Sequence, residues 1–338
     1  MAGPPPRVLI SIVNHENRDL LRACLQSLPA ACAGLEWEAT VVDNVSKDGS
    51  LEMLAAEFPL VRVMANRQRL GFGANHNQAL RPLLASWPDG ADFVLVLNDD
   101  TVVEPTAVSR LVAALYARPA LAAVVPTIRD TAGRTAASRL AYPDARSAWH
   151  ADWTDQLDTA DPDDGYLQGC CLLLRVEALV EVGPFDERFF LFFEDVDLSR
   201  RLRDAGWSLG VCPEAVVVHE GHASVFKPDL IAVTPLQGRR SRYLYLCKYE
   251  GRARAEAITG VGRLLLVIRA AKAAVGAVIA DGPSTGQSGQ ARRRDRARRL
   301  WALARFNPRR PLPPDPGARC SDREPTAGQA PGPFEAGA

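Results

Sequence analysis

Three carboxylates follow directly on an apolar run in "FFLFFEDVDLSRRLRDAGW", residues 189 to 207. A carboxylate just past such a wall is partly desolvated, which raises its pKa and suits it to general-base chemistry near neutral pH. Glu194, Asp195 and Asp197 cannot all face one point from a single helical turn, so they must divide roles. The same acids also complement the positive end of a helix dipole, with Arg200, Arg201 and Arg203 as partners further along, and that structural reading stands beside the catalytic one.

Asp99 and Asp100 end a second apolar run, "VLVLNDD". Adjacent acids at a strand terminus suit a hard cation such as Mg²⁺ or Mn²⁺, which keeps several waters and takes further oxygens from a diphosphate; a cap and turn is the alternative. His219 follows the run "AVVVH" in the same kind of place, fit to complete a metal site or touch a phosphate, or to serve as a satisfied structural histidine. "HEGH" is one residue short of the zinc-protease pattern H-E-x-x-H, and Gly221 interrupts any helix there. "RLGFGANHNQAL" (69 to 80) is a Gly-rich turn entering a helix, a shape that cradles phosphate, but it lacks both the dinucleotide-binding and the P-loop pattern.

The elements that must position these groups alternate from the start: "VLISIV", "NRDLLRACLQSL" with Asn17 or Asp19 as cap, "EATVVDN", "DGSLEMLAAEF", "VRVMAN", the Gly-rich turn with its helix, and "FVLVLNDD". Near-continuous apolar strands separated by helices predict an α/β fold with a mostly parallel sheet covered on both faces. Ligands on such a sheet bind at the carboxyl ends of the strands. Asp43 and Asn44, Asn66, and Asn98 to Asp100 stand at three such ends. Residues 129 to 165 read as a polar, irregular excursion suited to a lid, and residues 308 to 338, rich in Pro, Gly and Ala, as a disordered tail.

The chain of 338 residues is 47% hydrophobic with zero formal net charge, yet Gly238 to Arg310 carries 18 Lys and Arg against 4 acids. This divides it into a catalytic part (1–237), a basic helical extension (238–307) and the tail. Within the extension, "LLLVIRAAKAAVGAVIA" (264 to 280) contains Arg269 and Lys272, which make it a poor spanning helix but one able to lie on a membrane surface. Nucleic acid is a weak candidate for "RRRDRARR", since no stacking aromatics interleave it. Seven Cys without a C-x-x-C pair, and a start lacking the signal-peptide pattern, predict reduced thiols and a cytoplasmic location, at most peripheral on the inner face of the membrane.

Six segments taken in order, "VLISIVNHENRDLLRACLQSL", "VVDNVSKDGS", "NRQRLGFGANHNQAL", "VLVLNDDTVVEP", "LQGCCLLLRVEALVEVGPFDERFFLFFEDVDLSRRLRDAGW" and "VVVHEGHAS", resemble the family 2 glycosyltransferases of the inverting GT-A type, in their rhamnosyltransferase-like branch. The resemblance spans roughly residues 7 to 225. It implies that Asp43 and Asn44 contact the nucleotide, and that Asn14, Asn66, Gly71, Asn75, Asn98 and Asp99 belong to the nucleotide-sugar site. "NDD" stands for the family's D-x-D motif, which makes Asp100 the metal ligand, with His219 beside the metal and diphosphate. Asp195 matches the catalytic base, and Glu194 contacts the acceptor or supports that base.

The resemblance implies a divalent metal cofactor, a nucleoside diphosphate sugar donor such as dTDP-rhamnose, and a glycan or polyprenyl-linked acceptor. Direct displacement at the anomeric carbon then needs one base to take the acceptor proton and positive charge to stabilise the departing diphosphate. A sugar-nucleotide nucleotidyltransferase and a non-catalytic glycan or nucleotide-sugar binding module are the alternatives. The junction "SIVNHENRDL" lacks the Gly-rich, basic signature that the former needs.

Overall fold

A computed structural model describes residues 5–143, 165–221, 234–279 and 287–309, the side chains of 276–279 and 287–294 excepted. Strands and helices alternate through β1 (Arg7–Asn14), α1 (Arg18–Ala31), β2 (Glu36–Asp43), α2 (Ser50–Glu57), β3 (Arg62–Ala65), α3 (Phe72–Ala85) and β4 (Phe93–Asn98). There follow β5 (Thr101–Val103), α4 (Ala107–Ala117), β6 (Leu121–Arg129), the short β7 (Thr135–Ala136), β8 (Arg139–Leu140) and β9 (Tyr166–Leu167), then β10 (Cys171–Arg175), α5 (Val176–Val182), α6 (Glu194–Asp204) and β11 (Ser208–His219). Helices α7 (Thr234–Tyr249), α8 (Arg252–Ile279) and α9 (Gln287–Arg305) come last.

The main sheet runs β3-β2-β1-β4-β10-β6-β11-β5, with β7 paired to β6. Each helix from α1 to α3 carries the chain back across the sheet, so β1 to β4 are parallel. Alternate side chains then feed two cores. Phe93, Leu95 and Leu97 of β4 pack with Leu21, Leu25 and Leu28 of α1 and Leu111 of α4. Val94 and Val96 pack on the other face with Leu80 and Leu83 of α3 and Leu198 and Leu202 of α6. The apolar runs are continuous because both faces are covered.

Inside the sheet the departure from parallel is β10, antiparallel to both β4 and β6, while β5 and the short β7 pair antiparallel with β11 and β6. The direction of β10 matters for the site. Cys171 pairs with Leu97, and the backbone N–H of Asn98 donates to the Cys170 carbonyl at 2.9 Å, so Gln168 to Cys170 arrive at the carboxyl-end rim of β4. His219 reaches the same rim from β11, opposite Thr101 of the antiparallel β5.

Residues 144–164 of the expected lid and 310–338 of the expected tail lie outside the described residues, as does His222, the second histidine of "HEGH". Asn17 precedes α1 without a side-chain cap bond; its amide donates to Asp99 instead, at 3.1 Å to each oxygen. In α7, "RYLYLCKY" packs inward: Tyr243, Tyr245 and Leu246 are buried, and Tyr245 joins Phe189, Phe193 and Tyr166 in a small core beneath α6. Among the described residues no helix is long and apolar enough to cross a membrane.

Candidate active site

A cleft of about 580 Å³ opens along the carboxyl ends of β1, β2 and β4 and the start of α6. Its lining includes Asn44, Asn75, Asn98, Asp99, Asp100, Glu194, Asp195 and His219. Asn14, Asp43, Asn66 and Gly71 stand one layer behind and shape it.

One wall is a lattice of amides. Asn44 grips the backbone of Leu70 twice, donating from Nδ2 to its carbonyl at 3.1 Å and accepting from its N–H at 2.9 Å. Asn66 donates to Asn75 Oδ1 at 2.6 Å, and Asn75 donates to the carbonyls of Leu70 and Gly71 at 3.1 and 2.9 Å. Asn14 donates to Asp43 at 2.9 Å, and Asp43 also accepts from the Ser46 N–H at 3.0 Å. These bonds fix the turn before α3. Gly71 is required there because a Cβ would sit 2.5 Å from the Phe190 carbonyl oxygen and 2.7 Å from its Cα. That close approach lets the Phe72 N–H donate to Phe190 at 2.8 Å and ties the Gly-rich turn to the aromatic segment before α6.

The aromatic segment ends in two non-glycine residues in the left-handed region, Phe192 (φ 65°) and Phe193 (φ 71°). Such backbone is costly and must be held by its surroundings. Phe193 and Phe189 are buried against Tyr245, and Ser241 donates to the Leu191 carbonyl at 2.8 Å, so α7 supplies the restraint. The bend aims the first residues of α6 into the cleft.

There the three acids separate. Asp197 is fully buried and accepts from Arg201 at 2.9 Å, Lys248 at 2.5 Å and the Tyr249 hydroxyl at 2.9 Å, a structural role. Asp195 faces the cleft, half-buried, with one oxygen accepting from the Val196 N–H at 2.8 Å and the other from the Gly169 N–H at 3.1 Å. Burial pushes its pKa up to about 6 against the pull of those two N–H donors. Glu194 is buried, lines the cleft and leaves Oε2 without a hydrogen-bond partner among the described residues. Burial first, and the neighbouring Asp195 charge second, push its pKa well up and favour its protonated form.

Across the cleft His219 Nε2 lies 3.0 Å from Asp100 Oδ1 and 3.4 Å from Asn98 Nδ2. Burial disfavours the imidazolium, but Asp100 and Cys170 outweigh it and raise the His219 pKa to about 10. Asp99 is engaged by Asn17 and by the His15 N–H at 3.3 Å, which leaves Asp100 as the acid directed to His219. Among the described residues no group of three or more His, Cys, Asp or Glu side chains forms a metal cage. An Asp and a His together, beside a buried Asn98 Oδ1 that has no hydrogen-bond partner among the described residues, would fit a cation once His219 gives up its Nε2 proton, leaving the other positions to water and diphosphate oxygens.

His15 and Arg69 also line the cleft and were not singled out from the sequence. Arg69 has only donors, so its contact with His15 Nε2 fixes the tautomer in which Nδ1–H donates to the Asn44 carbonyl at 2.8 Å. His15 was findable, since it follows a strand end. Gly169, Lys248 and Tyr249 had no local signal, being 26, 51 and 52 residues from the acids they serve. Of the aromatic wall expected from the sequence, Phe190 and Phe192 line the cleft and Phe189 is core.

The profile described as "Glycosyl transferase family 2" matches residues 8–183. An N-acetylglucosaminyl-diphospho-decaprenol L-rhamnosyltransferase from Mycobacterium tuberculosis is 34% identical over 201 residues, covering 53% of this chain and 65% of the relative, so the match spans somewhat less than two thirds of that protein's length. The galactofuranosyltransferase GlfT1 of the same species is 28% identical over 230 residues, 66% of this chain and 73% of the relative. Among solved structures, the mannosyltransferase PcManGT from Pyrobaculum calidifontis, in complex with GDP-Man and Mn²⁺, superposes with a TM-score of 0.51 at 17% identity over 89% of this chain and 86% of that one. The last comparison identifies the architecture as GT-A.

Proposed function

The chain belongs to glycosyl transferase family 2, and from that premise we propose that it moves a sugar, with inversion, from a nucleoside diphosphate sugar to a hydroxyl of a cell-envelope glycan or lipid-linked acceptor. The observation that carries this reading is a half-buried Asp195, with its pKa raised to about 6, in the same cleft as the Asp100–His219 pair. Asp195 is ionised at neutral pH yet basic enough to take the acceptor proton as the hydroxyl attacks. Its two backbone donors hold the carboxylate in one orientation. Glu194, protonated, offers a hydrogen bond to the acceptor or to the base beside it.

The amide wall holds the nucleotide end of the donor, with Asn44, Asn66 and Asn75 fixing the turn and Asp43 with Asn14 bracing the loop behind it. Asp100 and His219 would hold a divalent cation, Mg²⁺ or Mn²⁺, and when bound it supplies positive charge to the leaving diphosphate. Arg69, at the same rim, adds a cation of the protein's own. The catalytic unit would comprise residues 1–237, followed by the basic helical extension 238–307, with α7 as the joint between them.

Rhamnose from dTDP-rhamnose is the preferred donor, supported by the 34%-identical rhamnosyltransferase. The galactofuranosyltransferase relatives favour galactofuranosyl transfer as the second reading. Incubation with UDP, dTDP and GDP sugars, with Mg²⁺ or Mn²⁺ and a lipid extract, should release nucleoside diphosphate from one donor only, and Asp195→Asn should abolish the release. Equal release by the variant would remove Asp195 from the chemistry, and donor binding without turnover would favour a binding module.

A further inference from the structure

Helix α8 is amphipathic in an unusual sense: the side it turns to solvent is also apolar. Its first turns pack on α7, where Ala255 and Ile258 are buried against Tyr243 and Leu246. Further along, Leu266 is buried with Ala304 of α9, and Arg263 donates to the Ala304 carbonyl at 3.0 Å. The remaining face exposes Val261 (45%), Leu264 (60%), Ile268 (43%) and Val275 (55%). Exposed Ala271 completes the series, so the spacing is 3, 4, 3 and 4, one straight stripe of about 21 Å at 1.5 Å per residue. Large side chains are not left open in this way unless something covers them.

The charges beside the stripe say what that is. From Ala257 to Val275 the helix carries Arg263, Arg269 and Lys272 and no acid. On α9, exposed Trp301 (44%) is flanked one turn either way by the exposed Arg298 and Arg305. A second copy of the stripe would bring cations against cations with no acid to pair them, the reverse of how paired helices choose partners. An anionic bilayer surface satisfies both features at once, taking the apolar stripe into its interface and the cations at its headgroups. We propose that α8, through Val261, Leu264, Ile268 and Val275, lies in the interface of an anionic membrane with its axis along the surface. This assignment does not depend on the catalytic reading.

The test uses the full chain, vesicles and no substrate. Wild type should co-sediment with vesicles of about 30% anionic phospholipid and not with purely zwitterionic ones. Leu264→Glu/Ile268→Glu, with unchanged far-UV circular dichroism, should bind the anionic vesicles at least about tenfold more weakly. The proposal is overturned if wild type ignores anionic vesicles, if it binds zwitterionic ones equally, or if the double variant binds as well as wild type. A wild-type dimer in light scattering that ignores lipid, and that the double variant dissociates, would assign the stripe to a second copy instead.

Discussion

The amide wall and the α6 wall of the cleft answer the cost of burial in opposite ways. Asn44, Asn66 and Asn75 are neutral and bond one another and the backbone, so that wall is rigid and cheap to keep dry. Glu194 and Asp195 are adjacent acids whose charge burial opposes, with Glu194 Oε2 left unpartnered among the described residues. A satisfied network holds its wall in one shape, which suits the nucleotide end proposed for it. A group that must accept a proton needs its charged form held back. Asp197 sharpens the point, since two residues beyond Asp195 the same side chain is fully satisfied by Arg201, Lys248 and Tyr249 and has no chemistry left to offer.

The comparison breaks first at Asp195. Asp195→Asn should lower kcat by about 10²–10⁴ while dissociation constants for the nucleoside diphosphate stay within about threefold, measured by product release and calorimetry. In wild type, kcat/KM should fall as pH drops through about 6, because the base is then protonated; a profile flat from pH 5 to 7 would contradict the assignment.

Asp197→Asn should act on stability. Removing the anion leaves Arg201 and Lys248 facing a neutral amide in a closed site, a loss of about 3 kcal/mol in urea unfolding. The figure is at the low end for a buried pair because Lys248 keeps Asp186 at 3.0 Å. Any fall in kcat should track the loss of folded protein and α7 restraint.

Asn44→Ala should cost less, about 1–2 kcal/mol, by stranding the Leu70 N–H, while the Leu70 carbonyl keeps the Asn75 amide at 3.1 Å. Its signature is a raised donor KM with kcat nearly kept, the reverse of Asp195→Asn.

The smallest effect tests the sign of the burial argument. A carboxylate whose folded pKa is raised penalises the fold once ionised; the penalty is absent below the unfolded value of about 4 and complete above about 6. Asp195→Asn should therefore raise the Tm slightly at pH 7 to 8, and that gain should vanish below about pH 4.

Much of this was legible in the chain. Near-continuous apolar runs separated by helical patterns identify strands buried on both faces, and the strand-end rule then places Asp43, Asn66, Asn98 and Asp100 around one cleft. Local patterns are read locally, because backbone geometry fixes which neighbours share a face. The sequence by itself also determined that Glu194, Asp195 and Asp197 must divide roles, and that the 264–280 run within α8 makes a poor spanning helix. Which acid does what was decided only by tertiary structure. Gly169 reaches Asp195 because β10 runs antiparallel, and Lys248 and Tyr249 close on Asp197 from a helix some 50 residues away. Only packing could show that α7 faces inward and α8 outward, although both are basic helices in sequence. Burial and pairing are sums over distant partners, and no local window contains them.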